Sequence, residues 1–344
     1  MTITDIVFST VEIPLKTPFV TALRRVENVE AVRVTLSTDG GLQGIGEAPP
    51  TEVITGENLQ SIRSTIEAKI APNMLHKPFE TMEEVQKILH TSCKGATSAK
   101  AAVDIALYDL FCKQTCQPLY RFLGGENRSV ETDVTISLND PGTMAADARI
   151  ALAEGFDILK VKVGGRDGRD IARLEGVRRA VPDALLLVDA NQAWSETEAL
   201  KMIGAVSDLG IELIEQPLPA ENLEGMQAVT AQSPIPILAD ESVFTLEDAK
   251  RVIGTKAAEM INIKLMKCGG IYKAREIVEW CEARGVKCMM GSMLESPASI
   301  KAALQLAMAY PETIRYADLD SPLLYESIPQ GSGMAFKGNE IFLS

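Results

Sequence analysis

Histidine is almost missing from this chain: His76 and His90 are the only two in 344 residues, so imidazole-based catalysis has little to work with. Cysteine is sparse as well, with six residues at 93, 112, 116, 268, 281 and 288 and no Cys-x-x-Cys pair. A disulfide framework or a zinc cluster is therefore not expected, and buried thiols in a reducing cytosol account for the cysteines, Cys112 and Cys116 alone being spaced to share a helix face. No stretch approaches the roughly 18 uninterrupted apolar residues of a membrane helix. The start MTITDIVFST lacks a basic segment followed by an apolar one, so no secretory signal is expected and the chain reads as cytoplasmic. Positive charge is in deficit, 34 Lys and Arg against 47 Asp and Glu for a net −13. That balance argues against nucleic-acid and anionic-membrane partners. A small anionic substrate stays open, because a few local lysines override the total.

What the chain has is a rhythm. From about residue 130 to 320, short apolar runs alternate with helix-patterned segments: TDVTISL (132–138), ILKVKVGG (158–165), ALLLVDAN (184–191), IELIEQP (211–217), IPILADES (235–242), MINIKLMKCGG (260–270), VKCMMGS (286–292) and IRYADLD (314–320). Near-continuous apolar strands alternating with helices imply a parallel sheet covered on its outer face, and eight in a row imply a closed barrel. Residues 3–14 read as a first strand ending at Pro14, and Asp39-Gly40-Gly41 as a hairpin turn. Helical spacing then dominates from Gly56 to about Leu123, where Gly124-Gly125 closes the segment. The chain thus divides into an α+β segment (1–125), a barrel (126–322) and a tail (323–344) expected to return to the first segment. No Pro-, Gly- or Ser-rich linker separates them.

Five of the runs end in a charge: Lys162, Asp189, Glu215, Asp240 and Lys264, at intervals of 27, 26, 25 and 24 residues. Parallel strands place all five on one rim, the C-terminal face where barrels of this type carry their chemistry. Three carboxylates on consecutive strands need a cation, and all-oxygen ligation favours a hard ion such as Mg²⁺. Lys160 and Lys162, two apart on one strand, share the interior face, and their repulsion is expected to lower the pKa of one of them. A substrate carboxylate at the cation would have a lysine on each face of its α-carbon. Removing a proton there demands electrostatic stabilisation of the developing enediolate, and returning one from the opposite face gives a racemase or epimerase.

These residues, with GIGEAPP and SAKAAVDIALYDL…PLYRFLGG in the first segment and KVKVGG, VDAN, EQP, ADES and INIKLMKCGG in the barrel, resemble the muconate-lactonizing subgroup of the enolase superfamily along the whole chain. The resemblance implies a (β/α)7β barrel with an α+β cap built from both chain ends. It implies one Mg²⁺ per subunit on Asp189, Glu215 and Asp240, an acid/base pair of Lys162 and Lys264, and Lys160 orienting the substrate carboxylate. Asp318 and Asp320 end the last strand as an Asp-x-Asp similar to that of dipeptide epimerases. Two carboxylates on one face suit a peptide's ammonium group, the competing accounts being a helix cap or a second metal site. Phe19–Arg24 resembles the cap loop of L-Ala-D/L-Glu epimerases, in which the arginine at the position of Arg24 pairs with a glutamate side chain. Ile54, in the stretch 51–56, is expected to face the substrate. Thr135 is either a contact to the peptide backbone or simply a β-former. Glu295 and Ser296 are candidates to orient Lys264 or the substrate.

The expected activity is Mg²⁺-dependent epimerisation of a dipeptide, L-Ala-D/L-Glu or related, at its C-terminal residue. N-acylamino acid racemase, o-succinylbenzoate synthase and muconate cycloisomerase are the alternatives within the superfamily; none of their substrates has the free α-ammonium that Asp318 and Asp320 suit. A Schiff-base lyase using Lys162 or Lys264 would leave the carboxylates without a purpose, and a non-catalytic scaffold would leave the lysines without one. The resemblance suggests recycling of cell-wall peptides and leaves the oligomeric state open, a homo-oligomer included.

Overall fold

The computed structural model describes residues 1–22 and 24–344. Leu23, inside the cap stretch singled out by the resemblance, lies outside them. Three antiparallel strands open the chain, β1 (Ile3–Val20), β2 (Arg25–Thr38) and β3 (Gln43–Ala48), in the order β1-β2-β3. β1 runs past Pro14, where the sequence had suggested an end. It is an edge strand, so the missing N–H of proline removes no ladder bond the sheet requires, and the register shift between Pro14 and Phe19 absorbs the irregularity. The β2–β3 hairpin turns where expected, with Gly41 in the left-handed region at φ 78°. A largely buried helix, Thr97–Thr115, packs across this sheet. Contact is close because β3 presents Gly44 and Gly46 on one face: a Cβ on Gly46 would lie 1.9 Å from the Ala102 carbonyl oxygen, and one on Gly44 2.1 Å from that of Ala106.

After a short β4 (Val130–Glu131) come eight parallel strands: β5 (Val134–Ile136), β6 (Ile158–Lys162), β7 (Leu185–Asp189), β8 (Ile211–Glu215), β9 (Ile237–Ala239), β10 (Met260–Lys264), β11 (Cys288–Gly291) and β12 (Ile314–Asp318). They pair in sequence order. Asp133 N–H donates to the Ala317 carbonyl at 3.0 Å, joining first strand to last. With seven long helices between strands, this is the expected (β/α)7β barrel. The βα loops are short and finish in capping residues, among them Asp140, Ser195, Asn222 and Thr245, whose side chains accept first-turn N–H groups. β5, β7, β8 and β9 are thereby tied to their helices at the same rim.

Inside the barrel the period of two is plain. Leu187, Leu213, Leu238, Met260 and Met289 form an apolar floor, with Ile158, Leu185 and Tyr316 packed on it. Two residues beyond Leu187, Leu213 and Leu238 stand Asp189, Glu215 and Asp240. The tail divides its contacts. Glu326 N–H donates to the Pro14 carbonyl and Leu15 bridges Tyr325, whereas β13 (Met334–Lys337) pairs with β14 (Glu340–Leu343), which pairs in turn with β4 at the N-terminal end of the barrel. Among the described residues, no helix is long and apolar enough to cross a membrane.

Candidate active site

Register sets the rim. Lys162 pairs with Asp189 across β6–β7, and Asp189 with Glu215 across β7–β8. Just past these strand ends, Asn191, Gln192 and Gln216 have positive φ, a backbone conformation non-glycine residues adopt only where surroundings enforce it. Gln216 then uses its side-chain oxygen to accept the N–H of Asp240 at 2.9 Å, linking the second and third acidic strand ends.

Lysines bind the acidic cluster together. Lys162 Nζ lies 2.6 Å from Asp189 Oδ2, and Lys264 Nζ 2.7 Å from Asp240 Oδ2. Burial works against ionisation at Asp189, Asp240 and Asp318, yet the neighbouring lysines hold all three below the usual carboxylate range. Glu215 goes the other way: burial and then the Asp189 charge push its carboxyl up to about 7. Burial likewise opposes the charge on Lys264, but Asp240 and other carboxylates keep its pKa above the ordinary lysine value.

Lys160 lies deepest in this cluster. It is fully buried, with Nζ at 2.6 Å from Asp318, 2.7 Å from Glu215 and 3.3 Å from Asp189, and it does not line the open cavity. In this arrangement it is a hub between carboxylates of three strands. Burial pulls its pKa down, but Asp318, Glu215, Asp189 and Asp133 outweigh this and raise it well above the ordinary value.

A cavity of about 570 Å³ opens over the rim between cap and barrel. Lys162, Lys264, Asp240, Thr135, Asp318 and Asp320 line it from the barrel, and Arg24 and Ile54 from the cap. Thr135 meets the site through its backbone, donating its N–H to Asp320 Oδ2 at 2.7 Å. Arg24 is half-buried and has no ion-pair partner among the described residues, so its guanidinium is available to an anion. Ser296 does not line this cavity. It is fully buried away from the cavity, where its hydroxyl donates to Glu47 Oε2 on β3 and locks the cap to the barrel. Glu295 is buried beside it, accepting the N–H of Met293 at 2.7 Å.

Several supporting groups escaped the sequence reading. Asn262 donates to Glu215 Oε1 at 2.7 Å, and Lys267 Nζ sits 2.5 Å from Asp240 Oδ1 while also donating to the Asn262 carbonyl. Asn262 stands two residues before Lys264 on one strand, so the period-two rule could have found it. Asn191 donates to Asp189 and Glu241. Burial, then Asp240 and Asp189, push Glu241 up to about 8.

The donor set fits a hard divalent cation. Asp189, Glu215, Asp240, Glu241, Asp318 and Asp320 outnumber the nearby Lys160, Lys162, Lys264 and Lys267. Glu215 Oε2 and Asp240 Oδ1 touch ammonium groups without hydrogen-bond geometry, and Glu241 Oε2 has no hydrogen-bond partner among the described residues. Oxygen-only ligands with unspent capacity suit Mg²⁺-like ions better than soft metals.

Comparison with known proteins agrees with this geometry. Residues 3–124 match the mandelate racemase / muconate lactonizing enzyme N-terminal domain, and residues 143–339 the enolase C-terminal domain-like family. The chain is 48% identical over 342 residues to the L-amino acid-D/L-Glu epimerase of Sulfurimonas denitrificans, covering 99% of each. It superposes on a substrate-liganded complex of the L-Ala-D/L-Glu epimerase from Bacillus subtilis with a TM-score of 0.97 at 43% identity, covering 100% of this chain and 97% of that one. It also superposes on the dipeptide epimerase from Enterococcus faecalis complexed with Mg and L-Leu-L-Tyr, with a TM-score of 0.95 at 39% identity and coverage of 100% and 98%. From its cap sheet to the last strand of its barrel, the chain belongs to the mandelate racemase/muconate-lactonizing branch of the enolase superfamily.

Proposed function

We propose that this protein is an isomerase that epimerises a dipeptide, L-Ala-D/L-Glu or a close relative, at the α-carbon of its C-terminal residue, with Mg²⁺ as cofactor. The observation that carries the reading is one cavity lined by Lys162 and Lys264 from opposite sides of the acidic cluster, with Asp318 and Asp320 beyond them and Arg24 overhead. The relatives' dipeptide substrates and Mg support it.

Asp189, Glu215 and Asp240 would hold the ion, with Asn262 and Lys267 orienting two of them. When bound, Mg²⁺ supplies the positive charge that makes an enediolate accessible. Lys162 and Lys264 exchange protons with the two faces of the α-carbon. Lys264, kept protonated beside Asp240, is the acid in the direction in which Lys162 is the base, and the reverse reaction starts from the reciprocal distribution. Asp318 and Asp320 would take the peptide ammonium, and Arg24 an acidic side chain. Cap residues 1–125 then govern side-chain preference and barrel residues 126–322 the chemistry. A cytoplasmic setting is supported by six cysteines that are all unpaired. Turnover of cell-wall peptides is the further role we propose.

The test is α-proton exchange in D₂O, read by mass spectrometry over a panel of dipeptides with Mg²⁺ present. L-Ala-L-Glu and related dipeptides should exchange. Exchange of N-succinyl amino acids with no Ala-Xaa exchange would overturn the reading. In single turnovers, Lys162→Ala should lose exchange of one epimer and Lys264→Ala that of the other. Equal residual rates for both epimers in both variants would remove the two-face assignment.

A further inference from the structure

Asp133 has no part in the machinery above, yet its placement calls for an account. It precedes Thr135 by two residues and shares its inward face. The residue is 1% exposed, and neither carboxylate oxygen has a hydrogen-bond partner among the described residues. Oxygens of Asp133, Asp318 and Asp320 all lie within 4.8 Å of one another. Burying three carboxylates this closely is strongly unfavourable unless something positive joins them. Lys160 does not suffice: its ammonium is shared among Asp318, Glu215 and Asp189, and it makes no ion pair with Asp133. Asp320 Oδ2 is already spent on the Thr135 N–H. Both Asp318 and Asp320 line the open cavity, which gives a cation a way in.

Building on the dipeptide reading, in which Asp318 and Asp320 seat the substrate's ammonium group, we propose that Asp133 joins them in a second cation site, separate from Asp189, Glu215 and Asp240, that holds a monovalent alkali ion in the free enzyme and yields it to the ammonium group in the complex. A single charge is favoured because the Lys160 ammonium, 2.6 Å from Asp318 Oδ2, repels a divalent ion twice as strongly. The third carboxylate adds attraction for any positive group at the Asp318–Asp320 pair, and so selects substrates with a free amine over N-acylated ones.

Tl⁺, a K⁺ mimic with strong anomalous scattering, is the probe. Crystals of the Mg²⁺-loaded protein soaked in a thallous salt should show a peak among the three carboxylates. Asp133→Asn should weaken Tl⁺ binding in solution by about tenfold, as expected for one lost charge contact. A peak displaced by L-Ala-L-Glu assigns both cation sources to one site, and a peak that persists beside the dipeptide assigns it to the alkali ion alone. In kinetics at fixed ionic strength, balanced with tetramethylammonium chloride, rising K⁺ should raise KM for L-Ala-L-Glu severalfold with little change in kcat. No Tl⁺ peak together with a KM flat in K⁺ overturns the site, leaving protons to neutralise the carboxylates. Tl⁺ binding without exchange of any dipeptide would instead overturn the epimerase reading and keep the site. Should Asp133→Asn fail to fold, the wild-type Tl⁺ and K⁺ measurements decide.

Discussion

Glu295 shows how one buried carboxyl couples stability to pH. Burial pushes it up to about 7 from an ordinary 4.5, opposed only in part by the Met293 N–H. The folded protein therefore binds this proton more readily than the unfolded chain does. Its favourable contribution is complete below about 4.5 and is lost as pH rises through about 7. Glu295→Gln keeps an acceptor for Met293 and removes the ionisation. It should leave stability nearly unchanged at about pH 4 and raise it by about 3 kcal/mol at about pH 8. Urea midpoints across that range check this, and a difference between variant and parent that is flat in pH would show that Glu295 does not titrate as argued. The same scale shows what a sequence cannot carry. Asp189, Glu215, Asp240, Lys162 and Lys264 are legible because strand ends and spacing place them. The side-chain partners of Lys160 and Ser296 are not legible, because nothing in ILKVK or ESPAS records which side chains of other strands reach them. Lys160 lies between carboxylates from β7, β8 and β12, and Ser296 faces a glutamate 249 residues earlier.

At the scale of elements, the tightest joint in the cap is a strand laid against a helix with no side chains between them. Gly46→Ala would drive a methyl group to 1.9 Å from the Ala102 carbonyl, with backbone and not a flexible side chain in the way. A loss of about 1–3 kcal/mol is expected from such overpacking. The consequence should reach the cavity. The helix Thr97–Thr115 is held at its start by Glu57, which accepts the N–H groups of Ser98 and Ala99, and Glu57 follows, after Gly56, the helical turn Glu52–Thr55 that carries Ile54. KM for the dipeptide should therefore rise more than kcat falls. Steady-state kinetics beside a thermal melt separate the two effects, and a destabilised variant with unchanged KM would break the link. The barrel's elements were readable because alternation and capping residues agree along the chain. The run of β1 beyond Pro14 was not, since only the sheet order reveals that it lies at an edge, where proline is tolerated. The pairing of the tail with β4 was hidden for a similar reason: short strands announce themselves weakly, and their partners not at all.

The whole molecule brings two sets of side chains to one cavity, lysines and carboxylates from the barrel and Arg24 and Ile54 from the cap. Because the acidic cluster belongs to the folded barrel alone, a divalent ion binding there should stabilise the fold by mass action. Mg²⁺ at about a hundred times its Kd should add about 2.7 kcal/mol, and a chelator should remove it. Asp189→Asn should abolish most of that increment while remaining folded. Thermal melts with and without Mg²⁺ read the effect directly, and an unchanged melting temperature in the parent protein would argue against the cation seat. The net −13 of the chain gave no hint of this arrangement, because the lysines that matter are few and interior.

The apolar floor of Leu187, Leu213, Leu238, Met260 and Met289 turns the barrel into a dead end. Whatever reaches the two lysines must enter on the rim side, where Arg24 and Ile54 line the cavity, and leave on that side too. Both epimers therefore queue at one threshold, and a molecule lodged in it stops the forward and reverse reactions together.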